Sequence, residues 1–90
     1  MSVRDRVRNW EQRHPEQARA LDRRRAAKLA EADRRLRARH PDDYDALRAA
    51  QDALDITSAS KQRRARQALR AMHPNDWRGI RAAVREEFAQ

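Results

Sequence analysis

No cysteine occurs among the 90 residues. That excludes a disulfide framework, a thiolate zinc site and a cysteine nucleophile, and it fits the reducing cytoplasm in which the chain is expected. A single glycine, Gly79, rules out the loops that cradle nucleotide phosphates, which need several. No apolar run approaches the roughly 20 residues of a membrane span. Large apolar side chains are also scarce. Leu, Ile, Val and Phe together number 12, about 13% of the chain against about 20% for a self-sufficient globular domain. These absences point away from redox, nucleotide and membrane chemistry, and no enzymatic activity, cofactor or small-molecule substrate is expected.

What remains is charge and alanine. Charged residues make up 40% of the chain, mean hydropathy is -1.25, and 22 basic against 14 acidic side chains leave +8 at pH 7. Such a composition borders on disorder. Eighteen Ala and 20 Arg oppose it, because both residues lose little freedom in a helix. The expectation is a single all-α domain over residues 1–90. A core this thin predicts a homodimer that shares it, or a fold strengthened by a partner.

An internal repeat organises the chain around three His-Pro dipeptides, His14-Pro15, His40-Pro41 and His73-Pro74. Residues 36–50 (LRARHPDDYDALRAA) and 69–83 (LRAMHPNDWRGIRAA) agree at 9 of 15 positions. The first copy is degenerate but keeps the frame: Trp10, Leu36 and Leu69 lie four residues before the His, and Leu21, Leu47 and Ile80 seven after it. A residue before proline is driven out of the α region, and proline suits the first position of a helix, so each dipeptide is read as a tight corner in which His ends one helix and opens the next. Gln17, Asp43 and Asp76, three residues after each His, occupy the capping-box position, and Met72 against Trp77 reads as a hydrophobic staple.

Helical spacing between corners predicts a compact array of about five short amphipathic helices. They are an N-terminal helix over 1–13 (Val3, Val7, Trp10, with Ser2 as N-cap), a long helix over 15–39 (Ala18, Leu21, Leu29, Ala32, Leu36), an acidic helix over 41–55 (Tyr44, Leu47, Leu54), a basic helix over 58–72 (Ala65, Leu69, Met72) and a C-terminal helix over 74–89 (Trp77, Ile80, Val84, Phe88). Thr57-Ser58-Ala59-Ser60 supplies N-cap residues for the fourth. Helices two to five are expected to close the core. Arg25 interrupts the apolar stripe of the long helix. It should either meet an acid such as Asp52 or Asp55 or mark a surface that is not core.

Charge is unevenly spread. Residues 41–55 carry five acids and one base, whereas 57–72 carry five bases and no acid. On the long helix, Arg19, Arg23, Arg34 and Arg37 fall within about 60° of one another and form a basic ridge, although Glu31 to Arg35 and Asp33 to Arg37 are spaced as i,i+4 pairs. On the basic helix, Arg63, Arg66, Gln67 and Arg70 project opposite Ala65, with Ser60, Lys61 and Gln62 near its start. Cations with rotatable donors at the start of an exposed helix suit phosphate contact and base-edge reading in a major groove. The preference for Arg over Lys favours forked recognition of phosphate or guanine, though a GC-rich genome gives the same bias. The pair of helices flanking LDITSASKQR (residues 54–63) reads as helix-turn-helix-like. It resembles the common LGIS-x-S-T-V-S-R pattern at Leu54, Ile56, Thr57 and Ser60, with Asp55 in place of the turn glycine and Lys61 and Arg64 at positions usually apolar.

The chain is therefore expected to be a small basic DNA-binding protein of a bacterium or phage, regulatory or architectural, docking the basic helix on duplex DNA. Arg63, Arg66 and Arg70 would hold phosphates; Ser60, Gln62 and Gln67 would lie nearest base edges; Lys61, Arg19, Arg23, Arg34 and Arg37 would widen the footprint. The alternative is a helical interaction or assembly module in which the basic helix pairs with an acidic partner surface. Within the chain, the acidic and basic helices could also mask one another. The three His are read as corner residues and not as metal ligands, since the repeat spacing separates them along the chain. Tyr44 and Trp77 are read as core residues.

Overall fold

The computed structural model describes residues 2–89. It contains five helices: α1 (Val3–Arg13), α2 (Pro15–Arg39), α3 (Pro41–Ala50), α4 (Ser58–Met72) and α5 (Pro74–Phe88). No strand occurs among the described residues, and the chain is all-α. Ser2 caps α1 by accepting from the Asp5 N–H at 3.2 Å. His14, His40 and His73 each end one helix and begin the next, with Pro at the first helical position. Their backbones are nearly superposable, with φ/ψ of -131°/61°, -132°/58° and -125°/62°. None of the three side chains makes a cap hydrogen bond.

The core lies in α2 to α5. Ala32, Leu36, Tyr44, Ala65, Leu69, Ile80 and Val84 are buried together, with Leu47 and Trp77 packed against them. A shift of 33 residues converts one half of this core into the other: Ala32 into Ala65, Leu36 into Leu69, Tyr44 into Trp77, Leu47 into Ile80. Helix pairing follows the same relation, because α2 packs mainly on α5 and α3 on α4. The repeat thus builds its own partner, and copies two and three face each other about a pseudo-two-fold axis.

At that axis the rings of His40 and His73 stack with centroids 3.5 Å apart and planes 6° from parallel. His40 Nε2 donates to Asp76 Oδ2 at 2.7 Å, and His73 Nε2 donates to Asp43 Oδ2 at 2.9 Å. The capping-box reading is corrected here: Asp43 and Asp76 each clasp the His of the other corner instead of reaching back within their own. The staple also differs. Met72 is 50% exposed, and the Trp77 ring lies under the guanidiniums of Arg70 and Arg81 at 4.5 and 5.6 Å. The symmetric counterpart of the first of these contacts, Arg37 over Tyr44, measures 4.1 Å.

The acidic helix is shorter than its charge pattern suggests. It stops at Ala50, and residues 51–57 form a connection of turns and bends. Leu54 and Ile56 are exposed there, so continuing the helix would cover nothing. Thr57 caps α4 by accepting from the Ser60 N–H at 3.1 Å. Seven residues between α3 and α4 exceed the 3–4-residue turn of a helix-turn-helix.

The first copy stands apart. No residue of α1 is buried, and α1 packs on α2 alone. The radius of gyration, 16.2 Å, exceeds the roughly 12 Å of a compact domain of this length, because α1 and the N-terminal half of α2 extend beyond the core.

Candidate nucleic-acid interface

A groove of about 430 Å3 runs between α2 and α4, lined by Ala26, Leu29, Ala30 and Asp33 on one side and by Arg63, Arg66, Gln67 and Arg70 on the other. Four of the residues singled out from the sequence therefore share one surface. They are not equally free. Asp33, only 8% exposed, accepts from Arg70 Nε at 2.7 Å and from the same guanidinium's terminal nitrogen. Arg66 Nε stands 3.8 Å from the same carboxylate. The expectation that all three arginines are held out for phosphates is corrected: Arg70 is an internal clasp and Arg66 is partly drawn in. The acid comes from α2 and not from the acidic helix, so Asp33 pairs across the fold instead of with Arg37, four residues on. Asp33 is a buried carboxylate and needs a partner, and α4 brings a guanidinium within reach of both its oxygens.

Arg63 is exposed and pairs with no described residue. Gln62 and Gln67 are exposed, while Ser60 is held in the cap, where Thr57 Oγ1 donates to its Oγ at 3.0 Å. Lys61 Nζ lies 3.4 Å from the Asp52 carbonyl and 3.8 Å from its carboxylate, a long pairing that neutralises little at an exposed acid. Arg64 donates to Gln51 at 2.9 Å. These contacts on α4 thus come from the 51–57 connection and are confined to its first two turns.

On α2 the ridge is divided. Arg34 and Arg35 both donate to Glu31. Those two hydrogen bonds, from Arg34 first and Arg35 second, hold the Glu31 carboxyl down at about 2. Arg35 reaches on to Glu87 of α5. Arg37 covers Tyr44. Arg19 and Arg23 are exposed on the same side of α2 as Ala26 and Ala30, so they extend the α2 wall of the groove away from the core. Arg25 is exposed without an ion-pair partner among the described residues; Asp52 is held instead by Arg48 at 2.8 Å.

Sequence reasoning missed α5. Its bases and acids balance in number, which conceals how they are arranged. Asp76 is spent on His40 and Glu87 on Arg35. Arg78, Arg81 and Arg85 line a second open hollow with Arg70, Pro74, Trp77 and Ala82. Arg78 and Arg85 are exposed and pair with no described residue. Arg70 borders both hollows, so the bases of α4 and α5 form one continuous face. The signal was present as Arg at i, i+3 and i+7 on a single helix.

His40, His73 and Asp76 bring three ligand-type atoms within 4.8 Å of one another, so the two His are not kept apart as their separation in the chain suggests. Their stacking nevertheless opposes a shared ion. A metal bonds imidazole in the ring plane, and parallel rings 3.5 Å apart aim their lone pairs side by side instead of at a common point. Each Nε2 already holds a carboxylate. Compared with protein family models, curated proteins and solved structures, the chain matches none.

Proposed function

We propose that the chain binds duplex DNA through the face shared by α4 and α5, with the α2 ridge as its flank. The observation that carries this reading is a set of guanidiniums, Arg63, Arg78 and Arg85, that are exposed and unanswered by carboxylates in a chain of net charge +8. Arg66 and Arg81 lie beside them, the first loosely tied to Asp33 and the second resting on Trp77. Arg70 positions this set by holding α4 to α2 and does not itself reach for phosphate. Gln62 and Gln67 are the nearest amides for base edges. A regulatory or architectural role in the bacterial cytoplasm, for a protein of bacterial or phage origin, fits a small cationic module of this kind.

Fluorescence anisotropy of a labelled duplex across a salt series tests it. With about five phosphates neutralised, log K falls against log salt with a slope near -4 to -5, and the Arg63/Arg78/Arg85→Ala triple variant loses roughly 2 to 3 of that slope. Absence of binding at low salt, or an unchanged slope in the variant, removes the reading. The second reading, an assembly module, is favoured by the apolar surface left open on α1 and α2. It predicts a protein complex that survives nuclease treatment and has the same arginines paired to acids.

A further inference from the structure

Copies two and three of the repeat bury their apolar faces against each other, while copy one, built from α1 and the N-terminal half of α2, has no such partner within the chain. Its corner is nevertheless the same corner, with φ/ψ at His14 within a few degrees of those at His40. Copy one keeps part of the apolar set by which the others meet, with Arg6 at the position of Ala32 and Ala65 and Arg25 at that of Val84. Trp10 stands where Leu36 and Leu69 stand, Leu21 where Leu47 and Ile80 stand, and Ala18 where Tyr44 and Trp77 stand. Leu36 and Leu69 are buried, whereas Trp10 is 39% and Leu21 41% exposed. Val3, on the same helix as Trp10, is 76% exposed. Val7, Trp10, Ala18 and Leu21 line an open groove of about 310 Å3 between α1 and α2.

We propose that this groove is filled by copy one of a second molecule of the same chain, so that two protomers cover each other's exposed Trp10 and Leu21. Charge selects this occupant over a foreign helix. The rim carries two bases, Arg6 and Arg25, and two acids, Glu11 and Asp22. A patch docked on itself about a two-fold axis must be its own complement, and an equal mixture of signs meets that requirement where the single-signed α4–α5 face does not. Arg25 is thereby explained. It lines the groove beside Asp22, and in the dimer it lies at the rim opposite the partner's carboxylates. The proposal does not rest on the nucleic-acid reading. Loss of DNA binding leaves it standing.

Sedimentation of the full chain over a concentration series provides the test, joined to a distance measurement. The expected result is a monomer–dimer equilibrium that Leu21→Arg weakens by about a hundredfold, two leucines being lost per dimer. Helical circular dichroism should be unchanged, since Leu21 lies outside the core. Leu54→Arg, equally exposed on the 51–57 connection, should leave the dimer intact. A nitroxide at Gln12→Cys, the only thiol in the molecule, should report a short distance between protomers, and one at Ala53→Cys a long one. A chain monomeric at every concentration overturns the proposal. So does a dimer indifferent to Leu21→Arg, or one in which the Gln12 labels lie farther apart than those at Ala53; each of the last two outcomes locates the contact elsewhere.

Discussion

The α2–α3 corner and the α4–α5 corner share a scaffold and differ in charge. Where the two copies agree, the residues hold the fold: Ala32 and Ala65, Leu36 and Leu69 in the core, His40 and His73 at the axis, Asp43 and Asp76 crossing to the opposite ring. Where they disagree, the sign often reverses. Asp33, Asp45 and Asp52 of the second copy correspond to Arg66, Arg78 and Arg85 of the third. One copy therefore presents acids at the positions where the other presents a cationic face. The comparison separates two jobs that composition alone had merged, since a chain with 40% charged residues keeps its fold on a few identical positions and is free to vary the rest.

The largest effect should come from breaking the identity. Leu36 and Leu69 are both almost fully buried at equivalent positions, so Leu36→Ala and Leu69→Ala should each destabilise by about 3 kcal/mol and agree within about 1 kcal/mol. Leu21→Ala, at the next apolar position in copy one, should cost under about 1 kcal/mol when measured on the dilute monomer. Urea denaturation at low protein concentration measures all three. Costs for the two buried leucines that differ by several-fold would show that the halves are not energetic equivalents.

Next is the place where the symmetry is broken at its centre. Under the 33-residue shift Asp33 becomes Arg66, and the two stand 3.8 Å apart. One charge reversal thus turns a self-contact into an attraction. Arg70 takes the buried carboxylate, while its counterpart Arg37 would face Arg66 and rests on Tyr44 instead. Removing Asp33 strands the Arg70 guanidinium, so Asp33→Ala should cost about 2 to 3 kcal/mol. Arg66→Ala, losing only a long and half-exposed pairing, should cost under about 0.5 kcal/mol. Thermal melts of the two variants sharpen the comparison, and equal losses would move the anchor from Arg70 to Arg66.

The repeat, the corners and the helical stripes were legible because they are local: a residue before proline and a spacing of three or four need no knowledge of the rest of the chain. The pairing of the copies was not. Nothing in the spacing of the three His places two of them in ring contact, since their meeting depends on the 51–57 connection folding one corner over the other. The same ignorance misjudged the arginines. Helical phase correctly sets Arg63 outward, but whether Arg70 meets solvent or Asp33 depends on which helix lies across from it. On α5 a balanced count concealed an unbalanced face, because Asp76 and Glu87 are consumed by residues of α2 and its corner.

Grafting one copy's charges onto the other should have a smaller effect on stability and a legible one on binding. Asp45→Arg with Asp52→Arg gives α3 and its following turn the cations of α5. Both sites are exposed, so Asp45→Arg should change the folded state by under about 0.5 kcal/mol, and Asp52→Arg, which trades its pairings with Arg48 and Lys61 for repulsion, by about 1 kcal/mol. A duplex able to reach the new face should then show a salt slope steeper by up to about 2. Anisotropy on a duplex long enough to touch both faces checks this. An unchanged slope would confine phosphate contact to α4 and α5.

The smallest effect concerns acid. The hydrogen bond from His40 lowers the Asp76 carboxyl below its ordinary range, burial opposing it in part. A carboxyl whose folded value lies below its unfolded value of about 4 stabilises the fold at neutral pH and loses that contribution as pH falls from about 4 through the lowered value. Asp76→Asn should therefore lower Tm slightly at pH 6 and flatten its decline below pH 4. Glu31, held at about 2 by Arg34 and Arg35, follows the same direction, but its partners are i,i+3 and i,i+4 neighbours on the surface of its own helix, solvent-screened pairs worth only about 0.5 kcal/mol, and Glu31→Gln removes no bond between the copies. Its melting curve should run closer to that of the unaltered chain at every pH. If Glu31→Gln instead flattens the acid limb more than Asp76→Asn does, the helix surface and not the histidine axis governs how the two copies come apart in acid.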